Sequence, residues 1–311
     1  MSSTDRGATH QWRELGQRVS NWGRWGDEDQ LGTRNLITAD RVRAAATLVR
    51  TGKIFDLGIP LDETGPQTGA LRSNPVRHMS VLAGVSGEGV QRYNDDWVFM
   101  PLQAGTQWDA LSHVYYDDVM YNGIPSTAVD SAGAHRLGIE TQAKGIVGRG
   151  VLLDVAGHEG VDWLSPGYVI MPEQLDAVAQ RQGVEVGPGD IVLIRTGWRR
   201  KFLRDADGAG FLAEEPGIGL ECARWLSQHD VAAVASDNWA VEAVPFQLTD
   251  EVFPVHMIMI RDMGLLVGEM FDLEELAADC REDGVYEFQL CAPVLKFTRA
   301  VGSPVNPLAL K

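Results

Sequence analysis

Short runs made up mostly of apolar residues are the feature that most restricts the fold of this chain. They have the length and composition of strands buried on both faces, and they occupy residues 150–155, 190–196, 231–235 and 265–267. Segments with helical spacing or composition lie between or after them, at 172–182, 219–228 and 272–283. Pro172 can open the first of these helices and Gly183 can end it. Strands that alternate with helices predict a single α/β domain.

The N-terminal segment 1–37 is rich in tryptophan, and we predict that it forms an arm beside a catalytic domain at 38–311. Trp12, Trp22 and Trp25 lie among Gly and Asp residues. Such tryptophans need an apolar environment. The arm is therefore expected to pack on its own domain or on a partner subunit, or to help wall a pocket.

Between the arm and the apolar runs the sequence predicts smaller elements. Thr38 can cap a helix that runs to residue 50. A strand is predicted at 54–61 and a loop at 62–77, where Gly, Pro, Asn and Thr are frequent. His78, alone in its surroundings, is expected to be structural. A further strand is predicted at 98–102, and 286–295 is the last one.

Charge and cysteine content exclude several classes of protein. The 311-residue chain has a formal net charge of −16, which would repel nucleic acid and anionic membranes. Its three cysteines form no C-x-x-C pair and predict no disulfide framework. No run of about 18 apolar residues predicts a membrane span. Without a signal-like N-terminus, the sequence predicts a soluble cytoplasmic protein.

The stretch 103–113 concentrates side chains that bind metals or move protons. Gln103, Gln107, Asp109 and His113 follow one another at intervals of four, two and four residues. On an extended chain or in a tight loop these side chains would share one side, whereas a helix would turn Asp109 away. The alternative is a hydrogen-bonded polar turn that ties strands together.

A second pair of such residues, His256 and Glu269, lies far downstream. Gly264 between them allows a sharp turn, so that both side chains could return to one place. On spacing alone, a structural role is the one expected for this pair. The sequence lacks the H-E-x-x-H, G-x-S-x-G, P-loop and G-x-G-x-x-G patterns.

The pattern Gln-x-Gly-Thr-Gln-x-Asp-x-Leu-x-His at 103–113 resembles the signature of the metal-dependent cyclase family. That family includes bacterial kynurenine formamidase and isatin hydrolase, and its usual signature is His-x-Gly-Thr-His-x-Asp-x-Pro-x-His. Other similar segments lie at 21–26, 148–154, 195–198 and 256–269. The Gly-Thr-Gln-Trp-Asp form resembles a sub-branch that includes trans-dienelactone hydrolase.

The resemblance implies an α/β fold of the layered β/β/α, swivelling type and a homodimer or homotetramer. It also implies that Asp109, His256 and Glu269 bind one divalent metal ion, Zn²⁺ or Mn²⁺, and that His113 is a general acid/base beside Asp109. Gln103 and Gln107 stand where the family has histidines, and Leu111 replaces a proline. The two glutamines could bind the ion through oxygen or hydrogen-bond the substrate.

The function implied is metal-dependent hydrolysis of a lactone or an amide in a small molecule. Trp108, Tyr115 and Trp239 are candidates for an apolar wall around the substrate, although packing in the core would equally explain them. Two other hypotheses remain open from the residues. One is a metal-independent cyclisation, isomerisation or dehydration, and the other is a non-catalytic protein that binds a small molecule.

Overall fold

The computed structural model describes residues 3–86, 89–248 and 251–311, and one large sheet forms its frame. The strands are β1 (Ile54–Asp56), β2 (Val76–Ser86), β3 (Gln91–Phe99), β4 (Gln107–Asp109), β5 (Val129–Asp130), β6 (Gly133–Ala134), β7 (Val147–Asp154), β8 (Val169–Ile170), β9 (Ile191–Arg195), β10 (Gly217–Ile218), β11 (Ala233–Ser236), β12 (Leu266–Glu269), β13 (Glu287–Cys291), β14 (Gly302–Pro304) and β15 (Leu308–Leu310). The α-helices are α1 (Ser3–Arg18), α2 (Ala39–Ala46), α3 (Val155–His158), α4 (Pro172–Gln182), α5 (Trp198–Asp205), α6 (Gly208–Ala213), α7 (Cys222–Gln228), α8 (Pro254–His256) and α9 (Glu274–Asp283).

Nine of the described strands form the main sheet, in the order β1-β15-β13-β7-β9-β11-β12-β4-β14. Its centre is parallel, because β7, β9, β11 and β12 run in one direction. The flanking strands pair antiparallel, including β4 beside β12 and β14 beside β4. This mixed sheet with helices confirms the predicted single-domain α/β fold.

The four parallel strands coincide with the four apolar runs of the sequence. Every residue of β9, β11 and β12 is buried, as expected for strands covered on both faces. The carboxyl ends of parallel strands meet at one edge of a sheet. Polar residues at or just after these ends, among them Asp237 and Glu269, therefore lie along the same edge.

Helix boundaries follow the local signals where these are strong. Helix α4 begins at Pro172, and Gly183 caps it with a positive φ of 65°. The side chain of Thr38 accepts the N–H of Arg41 and caps α2, but this helix ends at Ala46 rather than at residue 50. No helix within the described residues is long and apolar enough to cross a membrane.

An exposed β-hairpin, formed by β2 and β3, was not predicted. It includes the end of the predicted loop 62–77 and the start of the strand predicted at 98–102. Strands β2 and β3 pair antiparallel, with irregularities between Met79 and Gly84. All residues of β3 are exposed, so the hairpin shows no alternation of buried and exposed positions that the sequence could have revealed. The strand predicted at 54–61 is also shorter, because it ends at Asp56.

The tryptophan-rich segment packs against the rest of its own chain. Residues 1 and 2 of the predicted arm lie outside the described residues. Trp12 is fully buried and meets the ring of Tyr116 edge to face, with centroids 4.9 Å apart. The indole N–H of Trp22 donates to the carbonyl of Arg261 at 2.7 Å. These contacts hold the segment against the π-helix Met257–Asp262, which directly follows α8.

Candidate metal centre

Strand pairing brings the two distant parts of the sequence together at the carboxyl edge of the sheet. In the antiparallel pair β4–β12, Gln107 lies opposite Glu269 and Trp108 lies opposite Gly268. Residues that face each other across two strands share a face of the sheet, and so do residues two positions apart. Gln107, Asp109 and Glu269 therefore project from the same face.

Asp109, His256 and Glu269 form a cluster that could hold a metal ion. One ligand atom from each residue lies within 4.8 Å of the other two, and all three side chains are buried. Asp109 Oδ2 is buried without a hydrogen-bond partner, and so is the neighbouring Gln107 Oε1. Buried oxygens without donors are costly, and a cation at this point would satisfy them. The donor set thus fits a divalent ion.

Gln107 connects the two carboxylates of the cluster. Its amide nitrogen donates to Glu269 Oε2 at 2.6 Å and approaches Asp109 Oδ1 at 3.3 Å. The amide therefore separates two acidic groups that would otherwise repel each other across a buried space. Its own oxygen has no donor. Of the two glutamines in the 103–113 stretch, Gln107 is the one in contact with the cluster.

Gln103 lies beside the site rather than within the cluster. Its side chain is more than nine-tenths buried, and its amide nitrogen has no hydrogen-bond partner. This nitrogen fills the space that a Cβ on Gly302 would occupy, and Gly302 is paired with Asp109. Of the extended or tight-loop conformation predicted for 103–113, β4 is the extended part, and turns precede it and follow it.

His256 is held by a second carboxylate that the sequence did not reveal. Glu242 Oε1 accepts from His256 Nδ1 at 2.7 Å, while His256 Nε2 lies 3.2 Å from Glu269 Oε1. Glu242 also accepts the backbone N–H groups of Val255 and His256. Burial alone would lower the pKa of His256, but the hydrogen bonds to Glu242 and Glu269 outweigh burial and raise this pKa to about 10.

The bond to Glu242 fixes which nitrogen of His256 faces the cluster. With a proton on Nδ1, the ring presents Nε2 toward Glu269. A carboxylate behind a metal-binding histidine is a common supporting arrangement, because it sets the orientation and tautomer of the ring. Sequence spacing gave no signal for Glu242, which lies in a loop fourteen residues before His256.

His113 stands at the open side of the cluster. Its Nε2 is 3.8 Å from Asp109 Oδ1, and about one-fifth of its side chain is exposed. A turn places it there, since its N–H donates to the carbonyl of Ala110. Burial lowers the pKa of His113, whereas burial raises the pKa of Asp109 to about 6. Near pH 7 the imidazole is therefore neutral and able to accept a proton.

Glu215 is a second buried carboxylate that the sequence did not single out. Its two oxygens accept the backbone N–H groups of Trp239 and Ala240, both at 2.7 Å. Burial raises the pKa of Glu215 well above its usual value. Through these bonds Glu215 fixes the loop that carries Glu242, and so acts on the position of His256.

Three residues with left-handed backbone angles flank the site. Val241 precedes Glu242, Met270 follows Glu269, and Phe253 lies in the turn before His256; their φ angles are 59°, 56° and 56°. A side chain with a Cβ is strained at such angles, and a β-branched one most of all. The strain lies beside three side chains of the candidate site and indicates that the surrounding structure holds the backbone in these conformations.

The three aromatic residues predicted to line a substrate pocket have different positions. Trp108 is fully buried, packs against Phe271 and donates to the carbonyl of Ala292. It lies on the face of β4 opposite Gln107 and Asp109, which does not fit a role in substrate binding. Tyr115 is partly exposed on the loop after His113. Trp239 is partly buried, and its indole nitrogen has no hydrogen-bond partner.

Fold and site together define an α/β protein with a candidate metal centre at the carboxyl edge of its sheet. The family model described as Cyclase matches residues 55–243, which is more than half of the chain. A solved structure described as a novel cyclase is 43% identical, covers 94% of this chain and 99% of its own, and superposes with a TM-score of 0.88. The chain belongs to the Cyclase family.

More distant solved structures share the fold. Isatin hydrolase A from Ralstonia solanacearum is 22% identical, with 88% of this chain and 97% of that chain covered and a TM-score of 0.63. A predicted metal-dependent hydrolase from Bacillus stearothermophilus is 17% identical, with 84% and 98% covered and a TM-score of 0.51. None of the curated proteins compared with this chain matches it significantly.

Proposed function

We propose that this protein is a metal-dependent hydrolase that opens a lactone or an amide of a small molecule. The observation that carries the proposal is the cluster of Asp109, His256 and Glu269, which lies beside an imidazole of lowered pKa. A buried set of metal-binding groups with a neutral histidine at its open side is an arrangement that suits the hydrolysis of a carbonyl compound. The names of the distant relatives, isatin hydrolase and metal-dependent hydrolase, support the same reaction class.

Asp109, Glu269 and His256 Nε2 would hold the ion, with Gln107 beside them. When bound, a divalent ion supplies Lewis acidity toward a carbonyl group and toward water. Zn²⁺ and Mn²⁺ are both compatible with imidazole and carboxylate donors. Gln107, which stands where the family signature has a histidine, offers the cluster an amide oxygen in place of an imidazole nitrogen, and an oxygen donor favours Mn²⁺.

His113 performs the proton transfers in this proposal. The neutral ring accepts a proton from the water that attacks the acyl carbon. The acyl C–O or C–N bond then breaks, and the ring returns the proton to the departing oxygen or nitrogen. Asp109, 3.8 Å from Nε2, stabilises the imidazolium between the two steps. An imidazole suits both directions because its pKa lies near neutrality.

Of these two bond types, we propose that the protein hydrolyses the ester bond of a lactone. The Gly-Thr-Gln-Trp-Asp form at 105–109 supports this choice, since it resembles the sub-branch that includes trans-dienelactone hydrolase. Trp239 is the aromatic residue that we retain for the substrate pocket. Its indole N–H is buried without a partner and could donate to a substrate oxygen.

Metal analysis combined with a substrate panel tests the proposal. We expect protein purified without chelator to contain about one equivalent of ion. Stripped protein should lose lactone or amide hydrolysis and regain it with Mn²⁺ or Zn²⁺. Asp109→Asn should lose both metal and activity, whereas Asp162→Asn, which changes an exposed aspartate, should lose neither. Full activity after metal removal would indicate a metal-independent reaction. Binding without turnover would indicate a binding protein.

A further inference from the structure

Arg72 lies in a loop that is folded against the candidate site. The side chain of Asn74 closes this loop, because it accepts the N–H of Gln67 and donates to the carbonyls of Gly65 and Gln67. Gln67 in turn donates to the carbonyl of Ala104 at 3.3 Å. The loop thus has a defined conformation beside the turn that precedes β4, and it presents Arg72 to that turn.

The guanidinium group of Arg72 has little to bind. Its one described hydrogen bond is a long contact, 3.4 Å, from Nη1 to the carbonyl of Gln103. Within the described residues no carboxylate lies close enough to form an ion pair with it, although the side chain is partly buried. The arginines Arg149, Arg195 and Arg199, which are also half-buried or buried, each contact a carboxylate.

The charge of Arg72 nevertheless acts on the site. It lowers the pKa of Asp109 against the larger, opposite effect of burial, and it adds to burial in lowering the pKa of His113. Gln103, whose carbonyl Arg72 contacts, carries a buried amide nitrogen without an acceptor. A guanidinium group with one long contact and an amide donor without an acceptor, both at the edge of the site, indicate a ligand that supplies oxygen atoms.

We propose that Arg72 binds a carboxylate group of the substrate, so that the enzyme takes a lactone or amide that carries a carboxylate away from the scissile bond. This inference rests on the proposed hydrolase function. A guanidinium group matches a carboxylate because it offers two parallel N–H donors, and such a pair fixes orientation as well as charge.

The competing explanation is that Arg72 offsets the negative charge of Asp109 and Glu269. In that case its loss would affect every substrate equally, because the acidic groups belong to the catalytic site. Binding of a substrate carboxylate, in contrast, makes the effect of the substitution depend on the charge of the substrate. The two explanations therefore predict different ratios of kcat/KM for a charged and an uncharged substrate when Arg72 is replaced.

The test compares a lactone acid with its uncharged ester. We would measure kcat/KM for 5-oxotetrahydrofuran-2-carboxylate and for its methyl ester with the metal-loaded wild type, Arg72→Gln, Arg72→Lys and Arg77→Gln. Arg77 is an exposed hairpin arginine, so its substitution removes the same charge away from the site. We expect Arg72→Gln to lose about 10- to 100-fold more on the acid than on the ester. Arg72→Lys should be intermediate, and Arg77→Gln should keep the wild-type ratio. Equal losses on both substrates would overturn the inference and leave the hydrolase function intact.

A binding measurement separates this inference from the reaction itself. Tetrahydrofuran-2-carboxylate has no ester or amide bond to hydrolyse and can be titrated calorimetrically into wild type and Arg72→Gln. Arg72-dependent binding of this probe, without hydrolysis of any lactone or amide, would support the carboxylate site and remove the hydrolase proposal. Equal binding to both proteins, or none to the wild type at millimolar concentration, would refute the carboxylate site.

Discussion

Replacement of Glu242 by glutamine should change how many protons leave the protein when a metal ion binds. In the metal-free protein the carboxylate of Glu242 accepts from His256 Nδ1, and Glu269 lies at the other nitrogen. The pKa of His256 is therefore about 10, so the ring carries two protons at pH 7. Its Nε2 proton must leave before that nitrogen can bind an ion.

The size of the effect follows from this pKa. At pH 7 the ring is about three pH units below a pKa of about 10. Its deprotonation therefore costs on the order of 4 kcal/mol at about 1.4 kcal/mol per unit. Because the pKa of His256 is raised, protonation of its ring opposes binding of the metal ion below about pH 10 and no longer opposes it above that pH. Apparent affinity should rise up to about tenfold per pH unit between pH 7 and 9, with about one proton released from His256 per ion. Asp109, with a pKa of about 6, is mostly ionised at pH 7 and adds little.

Calorimetric titration of Mn²⁺ into metal-stripped protein measures the released protons directly. The heats would be compared at pH 7 in buffers that differ in ionisation enthalpy. We expect about one proton for the wild type and less than half a proton for Glu242→Gln, because a neutral amide no longer stabilises the imidazolium. Glu221→Gln, which alters an exposed glutamate, should behave like the wild type. The same proton release from Glu242→Gln as from the wild type would refute the assignment of Glu242.

Substitutions at three further residues test other parts of the structure. His113→Ala should lower kcat by about 100-fold or more, as for loss of a general acid/base, with the metal content unchanged; loss of metal with normal turnover would contradict its role. Gln107→Leu should weaken Mn²⁺ binding about tenfold, and Gln107→His should shift preference toward Zn²⁺; equal affinities by calorimetry would exclude an effect of this amide. Gly268→Ala would place a Cβ 2.6 Å from the ring of Trp108 and should lower the free energy of unfolding in urea by about 1–3 kcal/mol. An unchanged unfolding midpoint would show that the ring can move away.

The elements that the sequence predicted well are those whose local signals agree with their tertiary surroundings. The parallel strands are buried on both faces and therefore appear as continuous apolar runs. For helix α4 the sequence predicts both the start, at Pro172, and the end, at Gly183. The hairpin of β2 and β3 carries no such signal, because both of its faces are exposed and its polar and apolar residues do not alternate with burial.

The candidate site divides in the same way. Asp109 and His113 could be singled out from spacing, while His256 and Glu269 acquired a role only through resemblance to a family. Glu242 was missed, since one glutamate in a loop has no periodicity, and its bond to His256 exists only after the loop folds back. Glu215 contacts the site only indirectly, because it binds the backbone N–H groups of Trp239 and Ala240 in the loop that carries Glu242. No residue pattern in the sequence predicts that contact.

Trp108 has a structural role that its neighbours in the sequence do not suggest. Its ring lies over Gly268 across the β4–β12 pair, and a side chain at position 268 would leave no space for the ring. The close fit of ring and glycine favours the register that places Gln107 opposite Glu269. A slip by one residue would exchange the two faces of β4, turning Trp108 toward the cluster and Asp109 into the core. The indole thus supports the candidate metal centre by favouring the register that brings Gln107 and Asp109 beside Glu269. Gly268→Ala should for this reason weaken Mn²⁺ binding as well as stability, whereas a loss of stability with unaltered binding would show that the register has another origin.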